Sequence, residues 1–86
     1  MSQEPFFEAL WEGEGIGDGG DVNEALLSYA TVQDDDLSWE EAIRRASAPP
    51  CIKRYRSFEA YLDNADELET IEVSAVMIDA ALTQAG

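Results

Sequence analysis

The sequence contains no histidine, only one cysteine (Cys51) and only five basic residues. Without histidine, the chain lacks the commonest general base and the commonest metal ligand. A single cysteine permits neither a disulfide within the chain nor a zinc site built from cysteines, and a Cys-His nucleophile is excluded as well. We therefore expect a protein that is not an enzyme and that carries no metal and no cofactor.

Long apolar stretches are also missing. No segment approaches the roughly 18 consecutive apolar residues of a membrane-spanning helix. The N-terminus does not show the basic segment followed by an apolar run that is typical of a signal peptide. The sequence therefore predicts a cytoplasmic protein.

Carboxylates are what the sequence has in excess, since 19 acidic residues and five basic ones give a formal net charge of −14. Residues 1–43 and 57–86 contain acids and no bases, and all the bases lie between them, at Arg44, Arg45, Lys53, Arg54 and Arg56. We expect this basic island to form ion pairs with the flanking acidic segments. A chain of this charge repels phosphate, which excludes direct nucleic-acid binding, and attracts basic proteins.

The length of 86 residues fits a single domain, 1–86, and 45% hydrophobic residues can supply a core. The apolar spacing predicts a mostly helical bundle of about four or five short helices. The residues expected to cap the starts of these helices are Ser2, Asp21, Ser38 and Ser57. Asp21 with Glu24 and Ser38 with Glu41 have the spacing of a capping box. Residues 13–20, which are rich in glycine, are predicted to form a flexible acidic loop, and residues 47–50 an Ala/Pro linker between helices.

The C-terminal segment allows two interpretations. Leu68, Ile71, Ala75, Ile78 and Leu82 recur at the spacing of one stripe of an amphipathic helix. Alternatively, residues 69–73 form a strand that pairs with residues 51–55, because this segment contains threonine, isoleucine and valine. The second interpretation predicts an α+β fold with a short two-stranded sheet.

Two motifs match known sites in part. Gly15–Gly20 fits the letters GxGxxG, but phosphate binding there requires a preceding strand, and the neighbouring acids would repel the phosphate. A calcium loop beginning at Asp34 would need glycine at its sixth position and glutamate at its twelfth, where the chain has Trp39 and Arg45. We expect neither nucleotide binding nor a calcium site.

The size, the acidity and the lack of catalytic residues resemble those of phage and plasmid counter-defence proteins, such as anti-CRISPR and antirestriction inhibitors. This resemblance implies an inhibitor that mimics DNA or RNA and binds the basic nucleic-acid-binding surface of a protein, such as a Cas effector or a restriction enzyme. The predicted partner-binding residues are acids of the N-terminal block: Glu12, Glu14, Asp18, Asp21, Glu24, Asp34, Asp35, Asp36, Glu40 and Glu41.

A second hypothesis is a protein-protein adaptor, an immunity protein or an antitoxin. In that case apolar side chains would supply most of the binding energy, and the acids would mainly raise the association rate. The expected anchors are Phe6, Phe7, Trp11 and Trp39. The same residues would also suit a homodimer interface.

Overall fold

The computed structural model describes residues 5–33 and 36–85, which form an α+β fold around one antiparallel sheet. The sheet has four strands in the order β2-β1-β3-β4. Their bounds are Phe6–Trp11 for β1, Glu14–Gly19 for β2, Cys51–Tyr55 for β3 and Glu69–Glu72 for β4. The predicted helical bundle is therefore wrong, and the alternative pairing of residues 51–55 with 69–73 is found as β3 and β4.

The helices are short and connect or follow the strands. They are α1 (Val22–Leu27), which continues into a 3-10 helix (Ser28–Val32), then α2 (Trp39–Arg45), α3 (Phe58–Leu62) and α4 (Ala75–Ala85). Three predicted caps are confirmed: the side chains of Asp21, Ser38 and Ser57 accept hydrogen bonds from backbone N–H groups in the first turns of α1, α2 and α3. Ser2, the other predicted cap, lies outside the described residues.

The N-terminal segment is a hairpin and not a helix followed by a loop. The chain turns at Glu12 and Gly13, both with positive φ (55° and 83°), and returns as β2 beside β1. The glycines that suggested a loop serve close packing instead. A Cβ on Gly17 would lie 2.1 Å from the Ser28 side-chain oxygen, so only glycine lets the 3-10 helix approach the sheet this closely.

The predicted helix over the C-terminal stripe is wrong in its first part. Leu68 and Ile71 precede α4, and Ile71 pairs with Ile52 in the sheet. Ala75, Ile78 and Leu82 do lie on α4, where Ile78 is fully buried. Residues 47–50 connect a helix to a strand, α2 to β3, and not a helix to a helix.

The core lies on one face of the sheet, which we call the packed face and define by Phe7, Ala9, Ile52 and Ile71. Because side chains alternate along strands, these residues point to the same side. The packed face is covered by α1, α2, α4 and the 3-10 helix. The buried residues that these helices contribute to the core are Ala25, Leu26, Tyr29, Trp39, Ile78 and Ala81. The rings of Trp11, Tyr29 and Trp39 meet edge to face, with centroids 6.0–6.3 Å apart.

Tyr29 joins the 3-10 helix to the two central strands. Its side chain is fully buried, and its hydroxyl lies 2.9 Å from the carbonyl oxygen of Leu10 in β1 and 3.1 Å from that of Cys51 in β3. One proton is therefore shared between two backbone acceptors. Burial raises the pKa of the Tyr29 hydroxyl well above its usual range, so the group is protonated and donates at neutral pH.

We expect Tyr29→Phe to lower the free energy of unfolding by about 1–3 kcal/mol, because two carbonyl oxygens lose their donor in a buried site. Urea denaturation followed by far-UV circular dichroism measures the change. The matched control is Tyr55→Phe, since the Tyr55 hydroxyl has no hydrogen-bond partner that we find among the described residues. Equal losses in the two variants would contradict the assigned role of the Tyr29 hydroxyl.

Candidate functional site

Five of the predicted acids follow one continuous piece of chain at the edge of the sheet. We call this set the acidic hairpin edge: Glu12 in the turn, Glu14 and Asp18 on β2, and Asp21 and Glu24 at the start of α1. β2 is an outer strand, and all five side chains are exposed. A β-bulge interrupts β2 beside Ala9 and Leu10, so Glu14 lies opposite Trp11 on the packed side of the sheet and Asp18 lies opposite Glu8 on the other side.

Three acids of this edge are held by backbone amides. Glu12 accepts a hydrogen bond from the Ser47 N–H at 3.1 Å, which fastens the hairpin turn to the segment after α2. Asp21 accepts from the Glu24 N–H at 2.8 Å, and Glu24 accepts from the Gly20 N–H at 2.7 Å. These bonds fix the positions of the carboxylates while leaving each one exposed to a partner.

The remaining predicted acids lie on another element or outside the description. Glu40 and Glu41 are in the first turn of α2, where Glu41 forms ion pairs with Arg44 (2.9 Å) and Arg45 (3.1 Å). Because two cations lie beside it, Glu41 contributes little negative field. Asp36 precedes α2, and Asp34 and Asp35 lie outside the described residues.

The basic island is divided between α2 and β3, and part of it forms the expected ion pairs. Arg44 and Arg45 pair with Glu41 within their own helix, and the Nε of Arg54 lies 3.3 Å from Glu69 on the neighbouring strand β4. All of these side chains are at least partly exposed, so each pair contributes only about 0–1 kcal/mol to stability. These ion pairs reduce the positive field of the basic island. The acidic hairpin edge itself contains no basic residue between Glu12 and Glu24.

The second face of the sheet, which we call the outer face and define by Phe6, Glu8, Lys53 and Tyr55, is covered by α3 at one end. There the rings of Phe6, Tyr55, Phe58 and Tyr61 form a cluster with neighbouring centroids 4.8–6.4 Å apart. The Tyr61 hydroxyl donates to Glu8 at 2.7 Å. This hydrogen bond and the Glu8 charge raise the pKa of Tyr61.

Sequence reasoning missed this cluster and its acid. Glu8 lies in the N-terminal segment for which the Ser2 cap predicts a helix, and Tyr61 lies 53 residues further along the chain, so no local spacing connects the two. On β1, Glu8 faces Asp18 of β2 on one side and Lys53 of β3 on the other. The only sequence signal was the spacing of the apolar and aromatic residues Phe58, Tyr61 and Leu62 after the Ser57 cap.

Cys51 does not have the properties of a reactive thiol. It is half-buried in β3, and burial raises its pKa more than the nearby charge of Lys53 lowers it. Since the thiolate is the nucleophilic form, a raised pKa makes the side chain less reactive.

The GxGxxG segment does not build a phosphate site. Residues 15–19 lie within β2, and the amides at the start of α1 that could bind an anion face the carboxylates of Asp21 and Glu24. Within residues 5–33 and 36–85, no group of three or more Asp, Glu or Cys side chains is arranged to hold a metal ion. None of the helices in this part of the chain is long and apolar enough to cross a membrane.

Comparison with protein families, with curated proteins and with solved structures finds no match to this chain. The surface of the protein is therefore the basis for assigning a function. That surface combines the acidic hairpin edge with the aromatic cluster at the end of the outer face.

Proposed function

We propose that this protein is a non-enzymatic acidic inhibitor that binds the basic nucleic-acid-binding surface of a protein target and acts as a mimic of DNA or RNA. The counter-defence proteins that it resembles in size and acidity bind targets of this kind, such as a Cas effector or a restriction enzyme. The proposal sets the protein in the cytoplasm, that of the host cell if a phage or plasmid encodes it.

The observation that carries the proposal is the exposure of nearly all the carboxylates in a chain of net charge −14. In the described residues only Glu8, Glu41 and Glu67 are half-buried, and every other carboxylate side chain is exposed. The ion pairs with basic side chains that we find there involve only Glu41 and Glu69. The carboxylates of such a surface repel one another, and the free energy of the system falls when a cationic surface binds them.

The acidic hairpin edge is the part of this surface that most resembles a nucleic-acid backbone. Its carboxylates follow one another along an extended strand and into a helix, as phosphates follow one another along a nucleic-acid strand. Hydrogen bonds to backbone amides position Glu12, Asp21 and Glu24, so little side-chain ordering remains to be done on binding.

The adaptor hypothesis loses its expected anchors. Phe6, Phe7 and Trp39 are buried, with 6–9% of each residue exposed, and Trp11 packs against the core. Phe6, Phe7 and Trp39 therefore lack the free apolar surface that an anchor needs before it meets its partner, and Trp11 is half-buried. The exposed apolar residues lie elsewhere, at Leu27, Phe58, Leu62, Leu68 and Val76.

The direct test is capture of the target from a lysate of the native host on the immobilised protein, followed by elution with duplex DNA. We expect the captured protein to bind nucleic acid, to be released by duplex DNA, and to bind less tightly as the salt concentration rises. A target without a basic groove, or one that duplex DNA does not displace, would contradict the proposal.

A charge-matched pair of triple variants locates the contact. Glu12→Gln/Glu14→Gln/Asp18→Asn neutralises three acids of the hairpin edge, and we expect it to weaken binding of the captured target at least about tenfold. The control Asp63→Asn/Asp66→Asn/Asp79→Asn changes the net charge equally but affects exposed residues outside the hairpin edge. Equal losses would mean that net charge alone drives binding and that the hairpin edge is not the contact.

A further inference from the structure

An open groove of about 560 Å³ lies where the end of β2, the start of α1 and the start of α3 meet. Phe6 and Phe58 line one part of it, Asp18 and Glu24 line another, and Gly19 and Gly20 lie between the two. We call this the aromatic-acidic groove. It connects the acidic hairpin edge with the aromatic cluster of the outer face.

The aromatic part of the groove presents a ring to solvent. Phe58 is 51% exposed. Its ring centroid lies 5.3 Å from that of Phe6 in an edge-to-face contact and 6.4 Å from that of Tyr61 in a stacked one. These neighbours hold the Phe58 ring in one orientation, so its exposed face is already in position before a ligand binds.

The acidic part of the groove is ordered as well. One carboxylate oxygen of Glu24 accepts the Gly20 N–H at 2.7 Å, which leaves the other oxygen available to a ligand. Asp18 is exposed on β2, where it lies opposite Glu8 of β1. Among the described residues, no basic side chain lines the groove.

Few ligand groups satisfy both parts of the groove at once. A phosphate or a nucleic acid is repelled by the two carboxylates, and a purely apolar side chain would cover these carboxylates without giving them a partner. A guanidinium group can stack on an aromatic ring while it donates hydrogen bonds in a fork to a carboxylate. A lysine ammonium has the same charge but neither the flat surface nor the fork.

We infer that the aromatic-acidic groove binds an arginine side chain of the basic protein partner, between the Phe58 ring and the carboxylates of Asp18 and Glu24. This inference rests on the proposed function and adds the chemical group that the partner inserts. It also assigns a role to the exposed part of Phe58, which its packing in the aromatic cluster does not explain.

The test is an NMR titration of the isotopically labelled full chain with N-acetyl-arginine amide. We expect the largest amide shifts at Gly19 and Gly20, with a dissociation constant on the order of millimolar, as suits one exposed cation-aromatic contact with charge-assisted hydrogen bonds. The lysine analogue should bind several-fold more weakly. The uncharged citrulline analogue, which keeps the shape, should produce no saturable shift.

Two substitutions separate the parts of the groove. Phe58→Leu keeps an apolar side chain but removes the ring, and Asp18→Asn removes one charge with little change in shape. Each should weaken arginine binding about fivefold or more. The controls are Leu62→Ala, on the same helix, and Asp66→Asn, which makes the same change of charge elsewhere. Both controls should bind as the parent protein does.

Three results would overturn the inference: shifts spread over all acidic segments, equal binding of arginine and citrulline analogues, or unchanged binding by Phe58→Leu. The titration needs no partner, so its failure is distinct from failure of the proposed function. If the captured target is displaced by duplex DNA but arginine does not bind, only the groove assignment is wrong. If arginine binds but duplex DNA does not displace the target, the mimicry proposal is wrong and the groove remains an arginine site.

Discussion

Replacing Trp39 with alanine should lower the free energy of unfolding by about 3–5 kcal/mol, as truncation of a large buried aromatic residue does. Only 6% of Trp39 is exposed, and its ring meets those of Trp11 and Tyr29 at 6.0 and 6.3 Å. It is also the buried residue that attaches α2 to the rest of the core. Since domains are typically stable by only about 5–15 kcal/mol, the variant should be close to unfolding.

Urea denaturation followed by far-UV circular dichroism measures this loss without depending on tryptophan fluorescence. The control is Leu68→Ala, because 58% of Leu68 is exposed and its truncation should cost less than about 0.5 kcal/mol. A Trp39→Ala protein as stable as the control would show that Trp39 is not packed as described. Loss of partner binding in Trp39→Ala would report unfolding, so this variant cannot serve as evidence for an apolar anchor.

Gly17→Ala is expected to destabilise the protein by about 1–3 kcal/mol, because the added methyl group overpacks a closed contact. The new Cβ would stand 2.1 Å from the side-chain oxygen of Ser28 and 2.6 Å from its Cβ. Either β2 or the 3-10 helix must therefore move, and the 3-10 helix also carries Tyr29, which bonds to both central strands.

A double-mutant cycle isolates the contact between β2 and the 3-10 helix. In a Ser28→Gly background the obstructing atoms are gone, so the added cost of Gly17→Ala should fall by at least about 1 kcal/mol. Gly20→Ala is the positional control, since the nearest atom to a Cβ there is at 3.6 Å. An unchanged cost in the Ser28→Gly background would contradict the close approach.

Local signals in the sequence located three helix starts and, as an alternative, the pairing of β3 with β4, but not the strands β1 and β2. The caps at Asp21, Ser38 and Ser57 were predictable because each cap lies only three residues before the backbone N–H that donates to it. The first strand was not predictable from spacing, because Phe7 and Trp11, four residues apart, share a face in a helix and in a strand alike. What decides between the two is pairing with β2 and β3, and β3 begins 40 residues after β1 ends.

The same limit applies to the candidate site. Charge alone identified Asp18 and Glu24, and their proximity follows from the short chain between them. Phe58 reaches the same groove only because β3 pairs with β1 and carries α3 to the end of the sheet. Contacts of this kind depend on strand pairing between distant segments, so a single sequence gave no pattern from which to predict them.

Both outer strands of the sheet carry acids, Glu14 and Asp18 on β2 and Glu69 and Glu72 on β4. An outer strand offers unpaired backbone groups on which another copy of the chain could add itself, and this is a common route to fibres. Here each such pairing between copies would bring like charges together across the new junction. The acidity that we assign to recognition therefore also opposes edge-to-edge aggregation of a small sheet with two open edges.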